Sequence, residues 1–170
     1  MIRDREIFRL EKYAQGLGIK IIYKTYKQGD PGATMTTDGK VLTMYLWSGI
    51  SKKRIILNLL HEIGHCKSFI HNNRKTKAKD DAALYAEACR KPGDPPLPKR
   101  LRKLIYECEK FDATYRTQIW HEVGIKMDET VLKIDIELDN WIYLVYYETG
   151  TTPTMKAIKL KEQELKEKYA

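Results

Sequence analysis

The residues best suited to chemistry stand together in His61-Glu62-Ile63-Gly64-His65, which fits the H-E-x-x-H pattern of a hydrolytic zinc centre. On a helix, residues four apart share a face, so the two imidazoles can converge on one metal ion. Glu62, beside the first histidine, is placed to take a proton from a water on that metal as general base. The surrounding residues agree with a helix. At about 100° per residue, Ile56, Leu59, Leu60, Ile63 and Ile70 gather on one side, with Cys66 near them. His61 and His65 project from the other side with Arg54 and Asn58, toward an expected open cleft. Gly64 costs about 1 kcal/mol of helix propensity against alanine, which predicts the close approach of another segment there.

Two histidines do not complete a tetrahedral catalytic site; a third protein ligand and a water are needed. Glu109 is the leading candidate, lying on a long helix next to its apolar face. Asp112, one turn further on, interrupts that apolar stripe, where a carboxylate without a partner costs several kcal/mol. Receiving the second N–H of a ligand histidine explains it. Glu107 points further from the same face. Glu87 has workable spacing but no acidic residue one turn on. His71 extends the pattern to H-E-x-x-H-x-x-S-x-x-H, near metzincin spacing. Ser68, however, stands where that pattern needs a glycine with positive φ to bring the third histidine round. A continuing helix would point His71 away from the metal. No oxyanion-stabilising residue can be placed, although Tyr115 and His121 are of suitable type.

The elements that must position these residues are legible in order. Residues 3–16 predict a helix, with Ile7, Leu10 and Ala14 at helical spacing and Gly16 and Gly18 closing it. A β-branched and aromatic run at 19–26 predicts a strand, and 28–32 a loop. Strands at 33–36 and 41–47 flank Asp38-Gly39, a strong hairpin signal. Ser51 is placed to cap the H-E-x-x-H helix, which should stop soon after Phe69. Helices follow at 80–90, 99–123 and 128–147, the last also showing strand-like alternation over 134–138. Gly150 closes it, and Thr152-Pro153 opens a final solvent-facing helix to about Tyr169. The fold class expected is α+β: a small mixed sheet with a hairpin packed on the H-E-x-x-H helix, followed by several helices. One domain over residues 1–170 is expected, with a metal-bearing core at 1–125 and a helical extension at 126–170.

Composition narrows the setting. The 170 residues are 42% hydrophobic and 32% charged, as in globular chains, and no segment approaches the length needed to span a bilayer. The first residues lack the apolar core of a secretory signal. The three cysteines, Cys66, Cys89 and Cys108, form no C-x-x-C pair and are expected as buried thiols. These features predict a cytoplasmic protein. The net charge of +8 is partly clustered at Lys52-Lys53-Arg54, at Arg74, Lys75, Lys77 and Lys79, and at Lys99-Arg100 with Arg102-Lys103. Such patches can attract nucleic acid, but no nucleic-acid motif accompanies them, and a solvated surface is the simpler reading.

The H-E-x-x-H helix behind a small sheet, with a later helix carrying Glu109-Lys110-Phe111-Asp112-Ala113, resembles the gluzincin side of the zincins. Within that group it is most similar to the short ImmA/IrrE-type metallopeptidases of bacteria, phages and mobile elements. The resemblance covers roughly residues 1–120. That family reads E-x-E-A-N/D-x-F-A where this chain reads Glu107-Cys108-Glu109-Lys110-Phe111-Asp112-Ala113. The resemblance implies Zn2+ held by His61, His65 and Glu109, with Glu62 as base, in an endopeptidase acting on a cytoplasmic protein. A second reading belongs to another class: a non-catalytic phage or mobile-element binding protein on a zincin scaffold, using its basic surface.

Overall fold

The structure is a computed structural model that describes residues 4–27, 32–36, 38–71, 77–90 and 93–170. Residues 28–31 of the expected loop at 28–32, the polar run after His71 with Arg74 and Lys75, and Pro92 lie outside the described residues. The fold class is α+β, a small mixed sheet with a hairpin followed by several helices. The chain divides into two compact units, Met1–Asn72 with Asp112–Lys126, and Asn73–Phe111 with Met127–Ala170.

The first unit opens with α1 (Arg5–Gly16). The Asp4 carboxylate caps it, accepting from the Glu6 and Ile7 amides at 3.0 and 3.3 Å. Gly18, with φ 77°, turns the chain into β1 (Lys20–Thr25). β2 (Ala33–Met35) and β3 (Val41–Leu46) form the expected antiparallel hairpin, Ala33 facing Met44 and Met35 facing Leu42. β1 pairs with β3 in parallel, giving the order β1-β3-β2. Alternation along β3 turns Leu42 and Met44 fully inward, with β3 against α2 (Lys52–His71) and β1 against α1. The Ser51 hydroxyl accepts from the Arg54 amide at 3.2 Å, the cap expected for α2.

The hairpin turn does more than reverse the chain. Gly39 has φ 69°, and a Cβ there would stand 2.9 Å from both the Cys66 carbonyl oxygen and the Phe69 Cβ. The turn therefore rests directly on α2, within one turn of His65.

Helix α2 departs from a simple amphipathic pattern. Besides Ile56, Leu59, Leu60 and Ile63, the residues Leu57, Gly64, His65, Lys67 and Ser68 are buried. The reason is α4 (Lys99–Val123), which crosses at Gly64: the Asp112 carbonyl oxygen would lie 3.4 Å and the Arg116 Cγ 3.5 Å from an added Cβ. The close approach expected there is present, and it covers the histidine side of α2 at His65, while His61 and Asn58 are half-buried and Arg54 is exposed. Three contacts tie α1 to the end of α4 and the residues after it. The Tyr13 hydroxyl donates to Glu122, Arg9 donates to the Gly124 carbonyl at 3.2 Å, and the Lys126 amide donates to Glu6 at 2.7 Å.

The second unit contains α3 (Lys77–Ala88), the first part of α4, α5 (Glu129–Thr149) and α6 (Met155–Lys168). Its core is Ala83, Ile105 and Tyr146, packed by Leu84, Leu97, Leu101, Leu104 and Tyr143. α5 is helical through the stretch whose alternation resembled a strand; Asp128 caps it and Gly150 closes it in the left-handed conformation, φ 79°. α3 begins three residues before the expected start, and Asp80, in its first turn, is fully buried. The cap of α6 is Thr154, whose hydroxyl accepts from the Ala157 amide at 3.3 Å, so Pro153 precedes the cap instead of opening the helix. Among the described residues, no helix is long and apolar enough to cross a membrane.

The two close glycines separate in a stability measurement. Gly39→Ala combines an unfavourable φ with a clash against helix backbone and should cost about 1–3 kcal/mol in urea unfolding. Gly64→Ala adds a methyl at ordinary contact distance and should be neutral or stabilising by up to about 1 kcal/mol. Equal losses at both positions would contradict the described packing of α2.

Candidate metal centre

His65 is 6% exposed, and its Nδ1 lies 2.7 Å from Asp112 Oδ2. The carboxylate accepts, so Nδ1 carries the proton and Nε2 presents its lone pair. That lone pair faces His61 Nε2 at 2.9 Å, and the two rings stand edge to face at 68°. α4 runs unbroken from Lys99 to Val123, so the contact at Asp112 also sets the position of Glu109, one turn earlier on the same face. Among the described residues His61, His65 and Glu109 form a group able to hold a metal ion, with one ligand atom from each lying within 4.8 Å of the others.

The donors suit a divalent cation. Two imidazole nitrogens and one carboxylate oxygen are the set of a catalytic zinc site, with a fourth position left for water or substrate. Ligands on bonds of about 2.0–2.2 Å stand about 3.4 Å apart around a tetrahedral ion, a spacing compatible with the cluster. His65 is already held in the tautomer that can ligate through Nε2.

The remaining sequence-predicted residues separate clearly. Glu62 is half-buried beside His61 and has no hydrogen bond or ion pair with any described residue. Glu107 is half-buried and lies 3.8 Å from Lys103, outside the metal-ligand group. Glu87 belongs to the second unit's polar network, accepting from the Tyr146 hydroxyl at 2.6 Å and from Arg90 at 2.9 Å. His71 is exposed at the end of α2 and is not part of the cluster. His121 is exposed, whereas Tyr115 is half-buried against Gly64. Burial, with the Asp112 charge adding to it, pushes the Tyr115 hydroxyl pKa up.

No sequence signal marks Lys67, yet the side chain is buried. Its Nζ donates to the Tyr13 hydroxyl at 2.7 Å and lies 3.6 Å from Glu122. The same ammonium sits 5.4 and 5.5 Å from the ring centroids of Tyr13 and Tyr115. It thus joins α1, α2 and the end of α4 two residues beyond His65. The Tyr13 hydroxyl, followed by the Gln118 amide, holds the Glu122 carboxyl below its usual pKa. Nothing in the apolar periodicity marks Lys67, because its burial depends on aromatic rings from other helices.

Cys66, also on α2, is no rival nucleophile. Burial, reinforced by the charge of Glu62, pushes its thiol pKa up to about 12. Cys108 is buried as expected, but Cys89, just past the end of α3, is exposed.

No family model, curated protein or solved structure matches the chain. The site is therefore described by its own geometry: a His61, His65 and Glu109 cluster of zincin-like H-E-x-x-H type within an α+β fold.

Competition with a chromophoric chelator should give near one zinc per chain for the wild type and none for His65→Ala or Glu109→Ala. Asp112→Ala should weaken zinc binding about 10–100-fold; unchanged affinity would separate Asp112 from the metal centre. In the folded protein a thiol reagent should modify Cys89 quickly and leave Cys66 and Cys108 protected, as peptide mapping would show.

Proposed function

We propose that this chain is a zinc-dependent endopeptidase of gluzincin type, similar in its motif to the short ImmA/IrrE-type metallopeptidases and acting on a cytoplasmic protein. The observation that carries the reading is the convergence of His61, His65 and Glu109, with Asp112 fixing the His65 tautomer. A bound Zn2+ would supply Lewis acidity toward a peptide carbonyl and lower the pKa of water toward about 7.

The chain's own residues then divide the work. Glu62 adjoins His61, and its carboxylate is uncommitted to other described side chains, as a general base requires. It takes a proton from the attacking water and returns it to the leaving amine. Asp112 stabilises the orientation of the His65 ring and its electron-donating Nε2. Burial of His65, Glu109 and Asp112 excludes bulk water from the ligand side and strengthens each of these interactions. The neutral Cys66 thiol leaves no competing thiolate route on the same helix.

Zinc-loaded protein should cleave an unfolded protein substrate, read by mass spectrometry of the products. Glu62→Gln should lower that rate about 10²–10⁴-fold while zinc stays bound. Cleavage at the wild-type rate by this variant would remove Glu62 from the mechanism. Zinc loading without any cleavage would favour the binding-protein reading.

A further inference from the structure

The sheet has a second face, opposite the one that packs on α2. Leu42 and Met44 point inward, so the alternate residues Val41, Thr43 and Tyr45 point outward along β3. The parallel register sets Lys20 beside Val41, Ile22 beside Thr43 and Lys24 beside Tyr45, all on this outer face. Just past the strand ends, Tyr26 is 37% and Trp47 43% exposed.

The arrangement of those side chains is specific. Tyr26 and Trp47 meet at 80° with centroids 6.4 Å apart, forming a corner in which a flat ring can lie on one face and meet the other's edge. The Lys24 ammonium stands 5.8 Å from the Tyr45 ring centroid, beside a third aromatic. Tyr45 and Trp47 are two residues apart on one side of the chain, about 6.6 Å, a separation suited to successive unstacked bases. Charge points the same way. Between residues 19 and 47, Lys20, Lys24, Lys27 and Lys40 are exposed, and Asp38 is the only acidic residue described there.

An open sheet with two exposed aromatics, a third beside a lysine, and further lysines around them has the chemistry that binds single-stranded nucleic acid. Bases stack on the rings while ammonium groups follow the phosphates. An extended peptide would use the rings but gains little from the exposed lysines unless it is acidic. We infer that the outer sheet face formed by Lys20, Lys24, Tyr26, Tyr45 and Trp47 binds single-stranded nucleic acid. This is independent of the peptidase reading, since the metal cluster is carried by α2 and α4 and the nucleic-acid face lies on the other side of the sheet. The basic clusters elsewhere in the chain are not required for it.

The test is fluorescence anisotropy of a labelled oligothymidylate of about 15 nucleotides, with protein titrated at roughly 50 and 200 mM salt. Binding should weaken with salt. Trp47→Ala and Tyr26→Ala should each lower affinity about 5- to 100-fold, whereas Trp47→Phe retains most of it. Lys20→Ala with Lys24→Ala should flatten the salt dependence by about 0.7 per lost phosphate contact. Circular dichroism and zinc content identical to the wild type would show these exposed-site variants to be folded. No binding at about 100 μM protein in low salt would overturn the inference. So would binding indifferent to both aromatic substitutions, which would mark diffuse electrostatics. Trp47-dependent binding of an acidic peptide without oligonucleotide binding would overturn it in favour of a protein partner.

Discussion

The buried contact between His65 and Asp112 is the constraint on which the site depends. It forms between α2 and α4, which come within van der Waals distance of each other at Gly64. One hydrogen bond thereby fixes a tautomer, aims an imidazole and sets the register of the two helices. Register in turn decides which residue of α4 stands beside the histidines, since one turn of helix separates Asp112 from Glu109. Burial makes the contact consequential: an unpaired carboxylate or imidazole in that position would cost far more than an exposed one.

Several weaker contacts hold α2 steady from its other sides. The Asp38-Gly39 turn lies against the helix backbone near Cys66, and Leu42 and Met44 fill the space beneath it. Lys67 gathers Tyr13, Tyr115 and Glu122, so a single ammonium links three helices close to the metal cluster. A short sheet of three strands supplies little core of its own. Its value is positional, holding one face of α2 while leaving the opposite sheet surface to solvent.

That division gives the sheet two chemically different faces. The inner face is apolar and closed. The outer face carries lysines and aromatic rings that have no part in holding α2. Polar burial is likewise distributed unevenly in the second unit, where Glu87, Arg90, Arg102 and the Tyr146 hydroxyl and carbonyl are joined by hydrogen bonds around an apolar centre. The commitment of Glu87 to that network explains why a residue of the right type and plausible spacing stands apart from the histidines.

Local chemistry in the sequence determined the elements and the pairing of His61 with His65, because helical periodicity, capping by Ser51 and Asp128, and the Asp-Gly turn act over a few residues. A lone acid in an apolar stripe also announced that Asp112 would need a partner. Tertiary structure alone decided that Glu109, rather than Glu107, Glu87 or His71, stands within reach of both histidines. It alone decided that Cys89 is exposed, that Lys67 is buried, and that β1 lies parallel to β3, setting lysines beside aromatics. Each of these depends on distances between segments remote in the chain, which periodicity does not encode; they follow from helix crossing points and strand register, fixed only when the whole core packs.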